Sequence, residues 1–181
     1  MTGYYIGVDV GTGSARAGVF DATGEMRASS PRALPLPLEA GDIAEQSGEE
    51  IWAAVAACVR EAVKLSDVAP GEIRGIGFDA TCSLVVVDAE GGPLPVGSSG
   101  DAGRNIIVWM DHRAMAEARR INATHHKVLD YVGGIISPEM ETPKLLWLKH
   151  NLPQSFSRAA HFFDLTDYLT WRASGSLARS I

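Results

Sequence analysis

The sequence predicts an α/β domain in which a mixed β-sheet is flanked by helices. Two observations carry this. Apolar residues recur with a two-residue period near the start and with a helical period after residue 47, which gives the order β-β-β-α-β. The composition, 46% hydrophobic and 21% charged over 181 residues, supplies one packed core and excludes a disordered or low-complexity chain.

The elements follow in order. Residues 4–10 alternate toward a strand with Ile6, Val8 and Val10 on one face, and a glycine-rich turn over 11–14 leads into a second strand over 15–20. Residues 21–24 mark a reversal and 25–30 a third strand, after which Pro31, Pro35 and Pro37 predict an irregular connection. Ser47 and Glu50 form a capping-box signature before a helix whose Ile51, Trp52, Val55, Val59, Ala62 and Val63 face a sheet. Pro70 and Gly71 separate it from a strand over 73–78, and 83–87 forms another before a turn at 88–92. Residues 91–104 read as loop and 106–110 as a short buried strand, with Asp111 placed to cap the next helix. Helical patterns recur at 128–131 and 145–149, and a strand over 160–163 leads into a helix near 168–171 that Gly175 stops.

The net charge of −6 argues against a phosphate-gripping nucleic-acid surface. No apolar run approaches the ~18 residues of a membrane span, and the first residues lack the parts of a signal peptide, so a cytoplasmic protein is expected, with neither a nucleic-acid nor a membrane partner. Cys58 lies on the apolar helix face and reads as core, while Cys82 has no histidine partner that would make it a catalytic thiol. His125 and His126 are adjacent and cannot converge on one metal from a helix. Trp109, Trp147 and Trp171 read as core anchors.

The most informative stretch is Asp9-Val10-Gly11-Thr12-Gly13-Ser14-Ala15-Arg16. Glycines let a backbone approach a ligand, and successive N–H groups in such a turn form a concave anion site to which Thr12 and Ser14 add hydroxyls. Asp9, at the end of the first strand, is placed to hold a hydrated Mg²⁺, and Arg16 to pair with a phosphate or with Asp9. A dinucleotide fingerprint fails because Arg16 stands where a third glycine is needed and a strand follows where a helix should. The P-loop fails for lack of Gly-Lys-Ser/Thr. An ordinary hairpin turn with glycine at positive φ is the plain alternative.

The element order resembles the half-domain of actin/hexokinase-like (ribonuclease H-like) proteins, and five segments together resemble the FGGY carbohydrate kinases. They are residues 6–14 with Arg16; Ile76-Gly77-Phe78-Asp79-Ala80-Thr81-Cys82-Ser83; Val108-Trp109-Met110-Asp111-His112-Arg113; Pro143-Lys144-Leu145-Leu146-Trp147-Leu148; and residues 163–169. Each is weak alone, and five in the family's order are specific. The Asp-Ala-Thr-Cys-Ser segment is most similar to the D-ribulokinase-type branch.

The resemblance implies transfer of the ATP γ-phosphoryl group to a sugar or polyol hydroxyl, with ATP and Mg²⁺ as cofactors and a two-domain architecture. Residues 1–181 then form an incomplete first domain, and the aspartate base is expected beyond this chain, so that no catalytic residue lies within it and the chain alone is expected to be inactive. By resemblance Asp9 takes the metal role, while Gly11, Thr12, Gly13, Ser14 and Arg16 serve the ATP phosphates. Ala80, Thr81 and Cys82 stand where glycerol kinases carry an Arg-Glu pair and xylulokinases a Met-His pair, which disfavours glycerol and weakens xylulose. A pentulose or pentitol is implied, D-ribulose first, with L-ribulose, ribitol and xylulose behind it. Asp111 is similar to a pocket-wall position, its alternative being a helix cap with Arg113 as a surface ion pair. Glu139 and Lys144 align with segments that reach the sugar, the alternative for Lys144 being a solvated residue in a helix's first turn. Apolar surface where the second domain would sit is expected to favour homo-oligomers. A non-catalytic actin-like module that binds nucleotide or a protein partner is the competing reading.

Overall fold

The computed structural model describes residues 3–36, 38–39 and 43–178. Three strands open it: β1 (Tyr4–Val10), β2 (Ser14–Asp21) and β3 (Met26–Ala33). A short pair, β4 (Leu38–Glu39) and β5 (Ile43–Gln46), precedes helix α1 (Gly48–Leu65) and strand β6 (Ile73–Ala80). Then come β7 (Leu84–Val87), β8 (Ile106–Ile107), α2 (Met115–Asn122), α3 (Glu141–Asn151), α4 (Pro153–Arg158), β9 (His161–Asp164) and α5 (Leu165–Ser174). Short 3₁₀ segments occupy Pro70–Glu72 and Lys127–Val132. The chain forms two compact units, one of Met1–Pro35, Glu49–Thr81 and Leu165–Ile181, the other of Leu36–Gly48 and Cys82–Asp164.

The first unit holds a mixed sheet in the order β3-β2-β1-β6. β1 runs antiparallel to β2, with Ile6 opposite Val19, and parallel to β6, with Val8 opposite Phe78. A parallel neighbour cannot be reached by a hairpin, and the segment bearing α1 makes the crossover. Ile6, Val8 and Val10 are buried while Tyr5, Gly7 and Asp9 face out, the two-residue alternation of a strand covered on one side. Ile51, Val55, Cys58 and Ala62 of α1 are buried at helical spacing, and the Cys58 thiol donates to the Ala15 carbonyl at 3.5 Å. Each buried aliphatic side chain contributes about 1.5–3 kcal/mol relative to exposure. Burial also pushes the Cys58 thiol up from its ordinary pKa, in keeping with a core role. At the far end, Arg172 of α5 pairs with Glu49, donates to the Tyr168 hydroxyl at 2.7 Å and stacks 5.1 Å from the Trp52 ring centre, which ties α5 to α1. Gly175, at φ 71°, ends α5 as its position predicts.

Pro31 does not end β3, contrary to the expectation. β3 is the outer strand of its sheet, and Pro31 lies opposite Arg16 on it, where a missing N–H on the outer side costs no ladder bond.

The second unit holds an antiparallel sheet in the order β4-β5-β8-β7-β9, which the proline-rich reading of residues 31–46 did not anticipate. All four residues of β7 are buried, as the unbroken apolar run predicts. Leu84, Val86, Leu94, Val96, Ile107 and Leu148 form the core, with Leu145, Trp147, Phe156 and Phe162 packed against it. The expected strand over 106–110 stops at Ile107 because the chain turns there, the Asp111 N–H donating to the Val108 carbonyl at 3.0 Å. Asp111 does not cap the next helix either: α2 begins at Met115, with Ala114 in the N-cap position. The expected helix over 128–131 is a 3₁₀ segment closed by Gly133 at φ 82°, and α4, started by Pro153 in its first turn, was not anticipated. Among the described residues no helix is long and apolar enough to cross a membrane.

Candidate functional site

The predicted residues fall into two sets, one in each unit. In the first unit, residues 11–13 form the reversal between β1 and β2. Its frame is fixed by three backbone bonds: Gly11 N–H to Ser14 O at 2.9 Å, Leu34 N–H to Gly13 O at 2.9 Å, and Thr81 N–H to Val10 O at 3.1 Å. The Gly11 amide is therefore engaged inside the turn. The Gly13 N–H has no partner among the described residues, and Gly13 is exposed. Neither Gly11 nor Gly13 lies at positive φ, so backbone conformation does not require glycine at either place. A Cβ on Gly11 would stand 3.5 Å from Arg16 Nη2, whereas one on Gly13 would meet nothing within 4 Å. The missing side chain at Gly13 thus leaves space that the chain itself does not use.

Asp9 and Arg16 are Cα partners across β1 and β2, and Arg16 Nη2 lies 2.7 Å from Asp9 Oδ2, with both side chains about half exposed. Asp79 stands in register with Asp9 on the parallel neighbour β6, so the two carboxylates share a sheet face. Asp79 lies within the motif over residues 76–83, and only the parallel pairing of β1 with β6 sets it beside Asp9. A cavity of about 360 Å³ opens on this face, lined by Gly7, Asp9, Arg16, Gly18, Phe20 and Ser29 among others. Among the described residues no three His, Cys, Asp or Glu side chains gather to enclose a metal. Two carboxylates in register on one exposed sheet face would suit a hard cation that keeps several waters. Ala80, opposite Val10, and Thr81, bonded to Val10 O, continue β6 at the same end of the sheet as the turn.

In the second unit, Asp111 is fully buried and is not a surface ion-pair residue. Its carboxylate accepts four hydrogen bonds: from Ala44 N at 2.7 Å, Arg113 N at 2.9 Å, Arg113 Nε at 2.8 Å and Arg113 Nη2 at 2.7 Å. That set fills the acceptor sites of a carboxylate. Arg113 also donates to Glu45 Oε1 at 2.9 Å and Val96 O at 2.6 Å, and its guanidinium lies 5.0 Å from the Trp147 ring centre. Burial disfavours its charge, but Asp111 and Glu45 outweigh that and hold its pKa above the ordinary value. Gly97 is required beside this group, because a Cβ there would collide with the Glu45 carboxylate. Nothing in the spacing linked Glu45 to Arg113, which lie 68 residues apart.

Lys144 is likewise buried, not solvated. Its ammonium donates to the carbonyls of Val108, Trp109 and Glu139, each at 2.9 Å. Burial lowers its pKa to about 8, with the charge of Asp111 opposing that shift. Glu139, by contrast, is open: its Oε1 lies 3.1 Å from His112 Nε2, and both side chains are 42% exposed. Cys82 is exposed as well. His112 lies within the segment over residues 108–113, and only the fold brings it to Glu139.

Residues 4–180 match the N-terminal domain of the FGGY family of carbohydrate kinases. The human FGGY carbohydrate kinase domain-containing protein is 50% identical over 179 residues, which are 98% of this chain and 32% of the human protein. A D-ribulokinase of Saccharomyces cerevisiae is also 50% identical over 179 residues, 98% of this chain and 25% of the yeast protein. The chain therefore spans a third or less of these two relatives. The crystal structure of xylulose kinase from Rhodospirillum rubrum shares the fold, with a TM-score of 0.79 at 22% identity over 93% of this chain and 33% of that one.

Proposed function

We propose that this chain, which belongs to the FGGY family of carbohydrate kinases, is the N-terminal domain portion of an ATP-dependent kinase acting on a pentulose or pentitol, D-ribulose first. The observation that carries the phosphate half of this reading is the unfilled space above Gly13 beside its unpartnered N–H. A hairpin built only to turn the chain gains nothing from a glycine there, since a β-carbon would be accommodated. A ligand that must touch backbone does gain.

On the phosphate side, Gly13 offers its amide, Gly11 shapes the turn, and Thr12 and Ser14 bring hydroxyls to the same reversal. Asp9, with Asp79 beside it, would hold Mg²⁺, which when bound neutralises charge on the phosphate oxygens. Arg16 is placed to exchange its partner, releasing the Asp9 carboxylate to the cation and turning to a phosphate. Because both groups are half exposed, that exchange costs little desolvation.

On the sugar side, the family resemblance assigns Ala80, Thr81 and Cys82, and within the second unit the exposed Glu139 would supply a hydroxyl-accepting carboxylate. Asp111 is not available to a sugar hydroxyl, since its oxygens are fully engaged by Ala44 and Arg113. D-Ribulose leads because a D-ribulokinase stands at 50% identity, ahead of L-ribulose, ribitol and xylulose. The chain spans a third or less of these relatives, and the 181 residues alone are expected to form no sugar phosphate.

The test is ADP formation by the intact kinase that carries this chain, offered D-ribulose, L-ribulose, ribitol, xylulose and glycerol in parallel. Turnover with D-ribulose, and its loss in Gly13→Val with the fold intact, are the expected results. Equal turnover in Gly13→Val overturns the phosphate reading, and preference for glycerol overturns the substrate reading.

A further inference from the structure

We infer that Lys144 is a positioning residue: from behind the wall it fixes the Glu139 segment and the Trp109 turn, and with His112 it presents the Glu139 carboxylate as a preset acceptor for a substrate hydroxyl. The identity of that hydroxyl rests on the sugar-kinase reading. The positioning rests on this chain's own geometry.

An ammonium carries three N–H donors, and all three of Lys144's end on backbone carbonyls at 2.9 Å. With the side chain fully buried, no donor is left to meet a ligand. The acceptors belong to two separate segments, residues 108–109 and residue 139, while Lys144 sits on the first turn of α3. One rigid helix therefore grips two loops through charge-assisted bonds, which are stronger than those between neutral groups.

Glu139 is held on each side. Its carbonyl is bound by Lys144, its N–H donates to Ser137 Oγ at 3.2 Å, and its Oε1 meets His112 Nε2 at 3.1 Å. The other carboxylate oxygen accepts nothing from the described residues, and the side chain remains 42% exposed. An acceptor whose backbone and one oxygen are already fixed loses little freedom when a hydroxyl binds the second, the economy expected of a pre-organised site. His112 and Lys144 thus act on the substrate through Glu139.

The experiment is a double-mutant cycle in the intact kinase, with the acceptor KM and the magnesium-ATP KM measured separately. Lys144→Met and His112→Ala are each expected to raise the acceptor KM, Lys144→Met by about tenfold or more, and to leave the nucleotide KM within about twofold. In the Glu139→Ala background neither is expected to add a further effect, because the carboxylate that they present is gone. Additive losses in that background, or equal damage to nucleotide binding, overturn the positioning role. Should Lys144→Met fail to fold, the His112→Ala arm decides by the same criteria. If the unaltered kinase turns over no pentulose or pentitol, the functional reading falls, and amide hydrogen exchange in the chain decides the positioning. Exchange faster in Lys144→Met around residues 109–111 and 137–140 upholds it, and unchanged exchange there refutes it.

Discussion

Two aspartate–arginine pairs of equal length divide this molecule. Asp9 and Arg16 meet at 2.7 Å with 53% and 54% of their side chains exposed, and Asp111 and Arg113 meet at 2.7 Å with 0% and 3% exposed. The chemistry is the same and the surroundings are opposite. In water each partner of the first pair can be replaced by another ion at small cost, so the pair is free to trade. In the second, each charge was taken from water and is offset by the other and by Glu45, the Val96 carbonyl and the amide of Ala44, so the pair is fixed. Distance alone does not separate an exchangeable ion pair from an architectural one. Desolvation does.

The largest effect that tests this contrast is expected from Arg113→Met. It leaves Asp111 and Glu45 buried without their cation and should cost about 3–5 kcal/mol in denaturant unfolding. A loss below about 1 kcal/mol would mean that the second pair behaves like the first.

Lys144→Met comes next, at about 2–3 kcal/mol near neutral pH, because three carbonyls lose their donor. This variant also has a pH signature. Lys144 titrates near 8 in the folded chain and at 10.5 when unfolded, so below pH 8 both states hold the proton and its contribution is flat. Between pH 8 and 10.5 the unfolded chain binds the proton that the folded chain has released, and stability rises with pH. The gap between the unaltered chain and Lys144→Met should widen across that window, as read from urea midpoints. A gap that stays constant rejects the burial-lowered pKa of Lys144.

Asp9→Asn is expected to change stability by less than about 1 kcal/mol, as befits a half-exposed pair, while weakening magnesium-nucleotide binding by about tenfold or more. The smallest stability effect, within about 0.5 kcal/mol, belongs to Gly13→Val, with loss of nucleotide binding as its companion. If either variant unfolds the chain, the first region is architectural after all.

Much of the first unit was legible because its signals are local. The alternation of Ile6, Val8 and Val10, the helical spacing of Ile51, Val55, Cys58 and Ala62, and the glycine turn each need only neighbouring residues to be read. The second unit was less legible because its elements are short and held by distant partners. β8 is two residues long, and the turn after it depends on Ala44, Arg113 and Lys144, which no window of sequence unites. The same reason explains the reading of Asp111 as a cap and of Lys144 as a solvated or sugar-facing residue. Polar side chains near turns are exposed far more often than not, and only tertiary partners reverse that. Pro31 misled in another way: a proline forbids the middle of a sheet but not its rim, and strand order is unknown before folding.

The glycine at position 13 has one more consequence. Since its replacement disturbs neither backbone conformation nor any neighbour, libraries scored by expression level, solubility or melting temperature will rank this site among the most permissive in the chain. On the proposed reading, variation that passes every such screen still abolishes turnover, and damage at this residue is then visible only to an assay that supplies the nucleotide.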